Sequence, residues 1–286
     1  MICCFFATGP GRCGTLLLSK VLNCSDVVLC NHEHSINTTL LKKSIQKKRP
    51  DLLVKDANSI LYPTIRKCNN SGWIYGESSG HLYPLFPELF ARYEFGARFI
   101  LLTRHPESFI RSALARGFFS PDHPHGLEHV IPPRDTEIGS RWKVASPFEK
   151  CAWYWAMVIG RVYRFFLTIP DSLYKIVRIE DISIELVEEL YDFLMITDFL
   201  KKRSSIEKIL SERHNATPGQ GDDRFLNPFS QKILLGPKST WNTDQLSAFK
   251  KHTDPMSNIL YDHNTSIKQT RANRLSAISE TFDNNN

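Results

Sequence analysis

The chain has 286 residues, 42% of them apolar and 23% charged, with a formal net charge of +6. That length buries a substantial core without disulfide or metal staples and holds one large domain or two small ones. The charge suits a small anionic ligand but is too slight to indicate nucleic acid, and no apolar run approaches the roughly 20 residues needed to span a bilayer.

The chain opens on an apolar stretch that reads as a strand, Ile2–Ala7, so no signal peptide is expected ahead of it. A glycine-rich turn follows, then a helix over Gly14–Asn23 and a second strand, Val27–Cys30. The next helix is expected over Thr38–Lys48, and the basic run KKSIQKKRP at 42–50 reads as a solvated face. Strand Trp73–Gly76, helix Tyr83–Tyr93, strand Arg98–Thr103 and helix Pro106–Arg116 come next. Residues 118–146, rich in Pro, His, Asp and Gly, form a long loop of the kind that makes a lid or a substrate wall.

Helix Pro147–Leu167, strand Tyr174–Arg178 and helix Ile184–Leu194 complete the alternation. Residues 213–240 are irregular, and Asn242–His252 is a last helix. The polar tail 266–286 is expected to be disordered, which leaves 1–265 as the folded domain. Short β-rich runs separated by helices indicate an α/β fold with a central parallel sheet flanked by helices. In such sheets, ligands bind beyond the carboxyl ends of the strands. The seven cysteines include no C-x-x-C pair and no zinc-ligand spacing. They read as free thiols in a reducing compartment, so the cytoplasm is the expected location.

The turn TGPGRCGT at 8–15 carries the most chemistry. Gly9 and Gly14 stand at the spacing of the two glycines in a nucleotide P-loop, so the expected fold is a three-layer, P-loop-NTPase-like one. Thr15 occupies the place of the P-loop lysine, and the positive charge sits inside the loop at Arg12. Backbone N–H groups of such a turn, at a helix N-terminus, converge on one spot and favour negative charge. The plainer alternative is a tight strand–helix turn. Gly9, Pro10, Gly11, Arg12, Cys13, Gly14 and Thr15 together favour an anion cradle, with Arg12 as its forked donor. The helix N–H groups would depress the Cys13 thiol, yet no C-x5-R arrangement makes it a phosphatase nucleophile.

A second stretch, FILLTRHPESFIRSALARG at 99–117, brings Arg104 to the end of a strand. A P-loop NTPase carries an Asp at a comparable strand end to help hold magnesium. A cation there, with Ser112 two turns into the following helix, suits a second anion instead of a metal. Taken alone, Arg104 is equally well a structural ion-pair partner.

The segment VLCNHEHSIN at 28–37 follows the second strand on the same edge and offers a general base: Glu33 first, His32 and His34 after it. Metal binding by the three is the competing chemistry. In an extended segment His32 and His34 face one way and Glu33 the other, and the H-E-x-x-H pattern is absent. A plain surface turn also stays open. Glu77, ending a strand near that edge, is a candidate to bind acceptor, to brace the loop arginine or to form a structural ion pair.

Together these stretches resemble the sulfotransferases that use 3′-phosphoadenosine 5′-phosphosulfate (PAPS). The resembling residues are GPGRCGTLLL at 9–18, WIYGESSGHL at 73–82, RHPESFIRS at 104–112, FEKCAWYW at 148–155, YKIVRIEDI at 174–182 and GPKSTWNTDQLSAF at 236–249. The layout is closer to bacterial and Golgi-type members than to the aryl and steroid enzymes.

The resemblance implies that Arg12 and the loop amides grip the 5′-phosphosulfate. It gives Arg104 and Ser112 the 3′-phosphate, with Lys238 of the closing segment reaching the same group. It places Glu33 at the position of the catalytic glutamate of Golgi-type members. It implies no metal and PAP (3′-phosphoadenosine 5′-phosphate) as product. The acceptor would be a small molecule, glycan or lipid offering a hydroxyl or amine, with neither nucleic acid nor a membrane span involved. Many relatives carry a lysine after the glutamate of the GE motif. Here Ser78 follows Glu77, which leaves Arg12, Lys55 and Lys238 as the cations open to that role. Two other classes stay in view: a P-loop-type kinase with a degenerate loop, and a non-catalytic nucleotide-binding module.

Overall fold

The computed structural model describes residues 2–33, 54–55, 57, 59–120, 130–212 and 234–261. In chain order its main elements are β1 (Cys4–Thr8), α1 (Thr15–Leu22), β2 (Val28–His32), α2 (Leu61–Asn70), β3 (Ile74–Ser78), α3 (Phe86–Tyr93), β4 (Ala97–Thr103), α4 (Pro106–Ala115), α5 (Glu137–Ser140), α6 (Pro147–Phe166), β5 (Tyr174–Arg178), α7 (Ile184–Phe193), α8 (Phe199–Ser211) and α9 (Thr243–Tyr261). The chain divides into two compact units, Met1–Arg104 with Ile169–Asn215, and His105–Thr168 with Ala216–Asn286. Among the described residues, no helix is long and apolar enough to cross a membrane.

The first unit is built on a five-stranded sheet in the order β2-β3-β1-β4-β5, with every pairing parallel. All five residues of β1, CFFAT, are buried, as a central strand covered on both faces requires. The chain moves one way across the sheet from β1 to β2 and the other way from β2 to β3 and from β3 to β4. Right-handed crossovers therefore put α1 on one face and α2 and α3 on the other. α8 packs against α1 and α7, adding to the first face. The Tyr191 hydroxyl, on α7, donates to the Val21 carbonyl oxygen of α1 at 2.9 Å. The expected α/β architecture, a parallel sheet between helical layers, is what the unit shows.

In the second unit α6 packs against α4 and α9. Its start is fixed by its sequence: the Ser146 hydroxyl accepts from the Glu149 N–H at 3.2 Å, and Pro147 takes the first helical position. Tyr154 and Trp155 are buried in the core, and Trp153 stacks edge-on with Trp142 at 5.1 Å. Trp241 sits between Phe148 and Phe249, at 4.9 and 5.2 Å. Glu149 is buried and accepts from Arg141 at Nη2, from Arg141 Nη1 at 2.8 Å and from His252 Nε2 at 3.1 Å.

Within the described residues the expected strands and helices recur with ends shifted by no more than two residues, except that α3 starts three residues after Tyr83 and the last helix runs on; β5 matches at both ends. Among the described residues, α2, α5 and α8 were not anticipated. The last helix runs past His252 to Tyr261, through Pro255. Phe249, Thr253 and Met256 form one buried stripe across that proline, so packing outweighs the lost backbone bond. The helix expected over 38–48, the basic run 42–50 and the tail from 266 lie outside the described residues.

Candidate functional site

Each strand of the first unit contributes at the carboxyl edge of the sheet, the edge the fold reserves for ligands. The loop after β1 is the centre. A Cβ built on Gly9 would overlap the carbonyl oxygen of Leu102 on β4, so only glycine lets the two backbones approach. Gly11 (φ 76°), Arg12 (φ 54°) and Gly14 (φ 90°) are all left-handed. Left-handed residues in a turn at a helix N-terminus favour successive N–H groups facing one side, the form of an anion-binding nest. Gly14 caps α1 without any side-chain hydrogen bond, so the first-turn N–H groups of that helix keep their donor capacity for a ligand.

From β2 come His32 and Glu33. His32 Nε2 lies 3.0 Å from the Thr15 hydroxyl. Glu33 is left-handed at φ 54°, and its N–H donates to the Ser78 carbonyl oxygen at 3.3 Å. A glutamate gains nothing intrinsic from that conformation. Residues held so are over-determined by their surroundings and cluster at functional sites. The two residues assigned to catalysis from the sequence, Arg12 and Glu33, are both among the non-glycine positions with positive φ.

From β3 come Ser78, Ser79, Gly80 and His81. The Ser78 hydroxyl donates to the Thr15 carbonyl oxygen at 2.9 Å, and the Ser79 N–H donates to the Ala7 carbonyl oxygen at 2.9 Å. A Cβ on Gly80 would rest 3.5 Å from both the Gly11 nitrogen and the Gly9 oxygen, so this turn backs directly onto the anion loop. Burial pushes the His81 imidazole below its ordinary range, with Glu33 opposing that shift and His32 reinforcing it. Glu77 is fully buried, and its Oε2 accepts from the Tyr75 hydroxyl at 2.6 Å.

From β4 comes Arg104, whose Nη1 donates to the Arg12 carbonyl oxygen at 3.3 Å. From β5 come Ile179, whose side chain a Cβ on Gly14 would overlap, and Glu180. Burial pushes the Cys13 thiol well above its ordinary range. Arg104 and Arg12 oppose that shift and Glu180 adds to it. The helix N–H groups were expected to lower this thiol; Cys13 is instead buried, and that burial works in the opposite direction.

The structure thus gathers the loop 9–15, His32, Glu33 and Arg104 at one edge. His34 lies outside the described residues. Lys55 is exposed. Ser112 and Lys238 belong to the second unit. Ser112 is buried on α4, while the Lys238 N–H donates to Glu107 Oε1 at 3.2 Å and its Nζ stands 4.4 Å from the Phe249 ring centre. Among the described residues, no group of three or more His, Cys, Asp and Glu side chains is placed to hold a metal ion.

No family model matches the chain, and no curated protein does. Among solved structures, it is similar to the sulfotransferase domain of the Synechococcus PCC 7002 olefin synthase, at 14% identity, 98% of this chain, 94% of that chain and a TM-score of 0.40. It is also similar to the sulfotransferase domain from the curacin biosynthetic pathway, at 13% identity, 98% of this chain, 96% of that chain and a TM-score of 0.42. Both of these structures are sulfotransferase domains.

His81 and Glu180 escaped the sequence reading. Each follows a strand within three residues. The rule that singled out His32 and Glu33 after β2 applies equally to the turns after β3 and β5, and would have found them.

Proposed function

We propose that the chain is a sulfotransferase that moves a sulfuryl group from PAPS to an acceptor hydroxyl or amine by in-line displacement, with the activity in residues 1–265. The observation that carries the proposal is the bond from Arg104 to the backbone of Arg12. It joins a cation at the end of β4 to a left-handed glycine loop at the start of α1. In a P-loop nucleotide enzyme those two places hold a magnesium-ligating Asp and a lysine. A donor with charge at both its 5′-phosphosulfate and its 3′-phosphate fits two such cations, and the nest left open by glycine backbone fits its 5′ end.

In this proposal the loop N–H groups and Arg12 hold the 5′-phosphosulfate. They stabilise the charge that grows on the bridging oxygen as its bond to sulfur breaks and PAP departs. Arg104 holds the 3′-phosphate. Ser112 and Lys238 are assigned to that phosphate by the sequence resemblance. Glu33 takes the proton of the acceptor as the new sulfur–oxygen or sulfur–nitrogen bond forms. The acceptor is a small molecule, glycan or lipid. All seven cysteines are free thiols, which fits work in the reducing cytoplasm.

The test is transfer of radiolabelled sulfate from PAPS to a panel of alcohols, phenols, glycans and amines. Labelled product formed in EDTA supports the proposal. Phosphoryl transfer from ATP, dependent on magnesium, would replace it with a kinase.

A further inference from the structure

We infer that His32 is a positioning residue: its Nε2 decides whether the Thr15 hydroxyl donates to the donor's 5′-phosphate or turns away from it. The inference rests on the sulfotransferase reading.

Thr15 is the first residue of α1, at the mouth of the loop. Its backbone is pinned by the hydroxyl of Ser78, which donates to its carbonyl oxygen at 2.9 Å. Its own hydroxyl meets His32 Nε2 at 3.0 Å. A threonine hydroxyl has one proton to give. If Nε2 is bare, that proton is committed to His32, and the Thr15 hydroxyl offers an anion in the loop only its oxygen lone pairs. If Nε2 carries a proton, His32 donates, Thr15 accepts, and the threonine proton is free for a phosphate oxygen.

The phosphate itself selects the second arrangement. An anion at the helix N-terminus favours a donor over an acceptor there, and favours a protonated imidazole one bond behind it. Among the described residues, Glu33 is the neighbour of His32 in the chain, and His81, in the turn after β3, feels the charge of both. Ser78 stands opposite His32 in the β2–β3 register, and Glu77 stands opposite Asn31. A protonated imidazole carries a proton on Nε2 whichever tautomer the neutral ring holds, so acid favours the second arrangement.

The experiment is titration calorimetry with PAP between about pH 5.5 and 8, on the wild type, Thr15→Val and His32→Gln. At each pH the ratio of wild-type to Thr15→Val affinity cancels the ionisation of PAP itself. That ratio should be about tenfold at the acid end, the worth of a hydrogen bond to a charged group, and should shrink toward one as pH rises. His32→Gln carries a permanent amide donor and should keep the acid-end affinity across the whole range.

A wild-type ratio that does not change with pH overturns the inference, as does a His32→Gln profile that matches the wild type. A second readout needs no variant: nitrogen NMR of the His32 ring in the PAP complex should show a protonated Nε2, and a bare one overturns the inference. Failure of the wild type to bind PAP at every pH overturns the sulfotransferase reading itself and the inference with it.

Discussion

Arg104 reaches from the end of β4 to the loop after β1, where its Nη1 donates to the carbonyl oxygen of Arg12 at 3.3 Å. The bond ties one cation to the backbone of the residue that carries the other, and the proposed mechanism gives the two to opposite ends of one donor. It holds the Arg104 side chain and, at the same time, the backbone from which the Arg12 side chain springs.

Removal of that guanidinium is the simplest test of its role. Arg104→Ala should weaken PAP binding by about 1.5–3 kcal/mol, the usual worth of a charged hydrogen bond, as read by calorimetry. Unchanged affinity would take Arg104 out of the donor site.

Glu33→Gln should cut turnover by about 10²–10⁴, the usual contribution of a general base, with PAP affinity nearly unchanged. Single-turnover assays with an alcohol acceptor separate the two effects. If the variant stays fully active, His32 and His81 are, among the described residues, histidines at the same edge able to take the proton, and His32→Asn and His81→Asn tell them apart.

The glycine loop makes a prediction about stability. Gly9→Ala places a methyl group on the carbonyl oxygen of Leu102, and neither partner is a side chain that can swing away. Urea unfolding should show a loss of about 1–3 kcal/mol, typical of overpacking, and PAP binding should fall with it. Gly72 is a control: its φ is +77°, but a Cβ there meets nothing within 4 Å. Gly72→Ala should cost only the left-handed strain, about 1–2 kcal/mol, and leave PAP binding intact.

The buried cluster of the second unit sets an acid limit. Burial alone would raise the Glu149 carboxyl, but hydrogen bonds from Arg141 and His252 outweigh it and hold the group below its ordinary 4.5. Burial lowers His252 below its ordinary 6.5 against the pull of Glu149. Both groups bind protons less readily folded than unfolded, so both make stability fall as pH falls. The His252 share is lost first, from about pH 6.5 downward, and the Glu149 share below about pH 4.5. Thermal melts across this range should show His252→Gln flattening the upper part of the slope and Glu149→Gln the lower part.

Much of the fold was legible because its signals are local. Apolar runs such as Phe99–Leu102 and the turn at Gly9–Gly14 announce themselves within a few residues. The missed helices lack that local signal. In α2, Pro63 interrupts a short face made by Leu61, Tyr62, Ile65 and Cys68; in α8, only Phe199 and Ile206 are buried. Pro255 reads as a stop, yet α9 passes through it because its buried stripe is tertiary, not local.

The site divides in the same way. Arg12, Arg104 and Glu33 stand at strand ends or in a recognisable loop. The closeness of Thr15 to His32, the electrostatic reach of His81 and the burial that silences Cys13 all depend on β2, β3 and the loop after β1 meeting at one edge. No spacing in the chain encodes that meeting.

The central claim is that this edge clasps an adenosine donor charged at both ends, without magnesium. The most direct measurement is calorimetric titration of the purified protein with PAP in EDTA, set beside ATP with and without magnesium. The sulfotransferase reading predicts saturable PAP binding in EDTA, stronger than that of ATP under either condition. Silence toward PAP, with ATP bound only when magnesium is supplied, would contradict it.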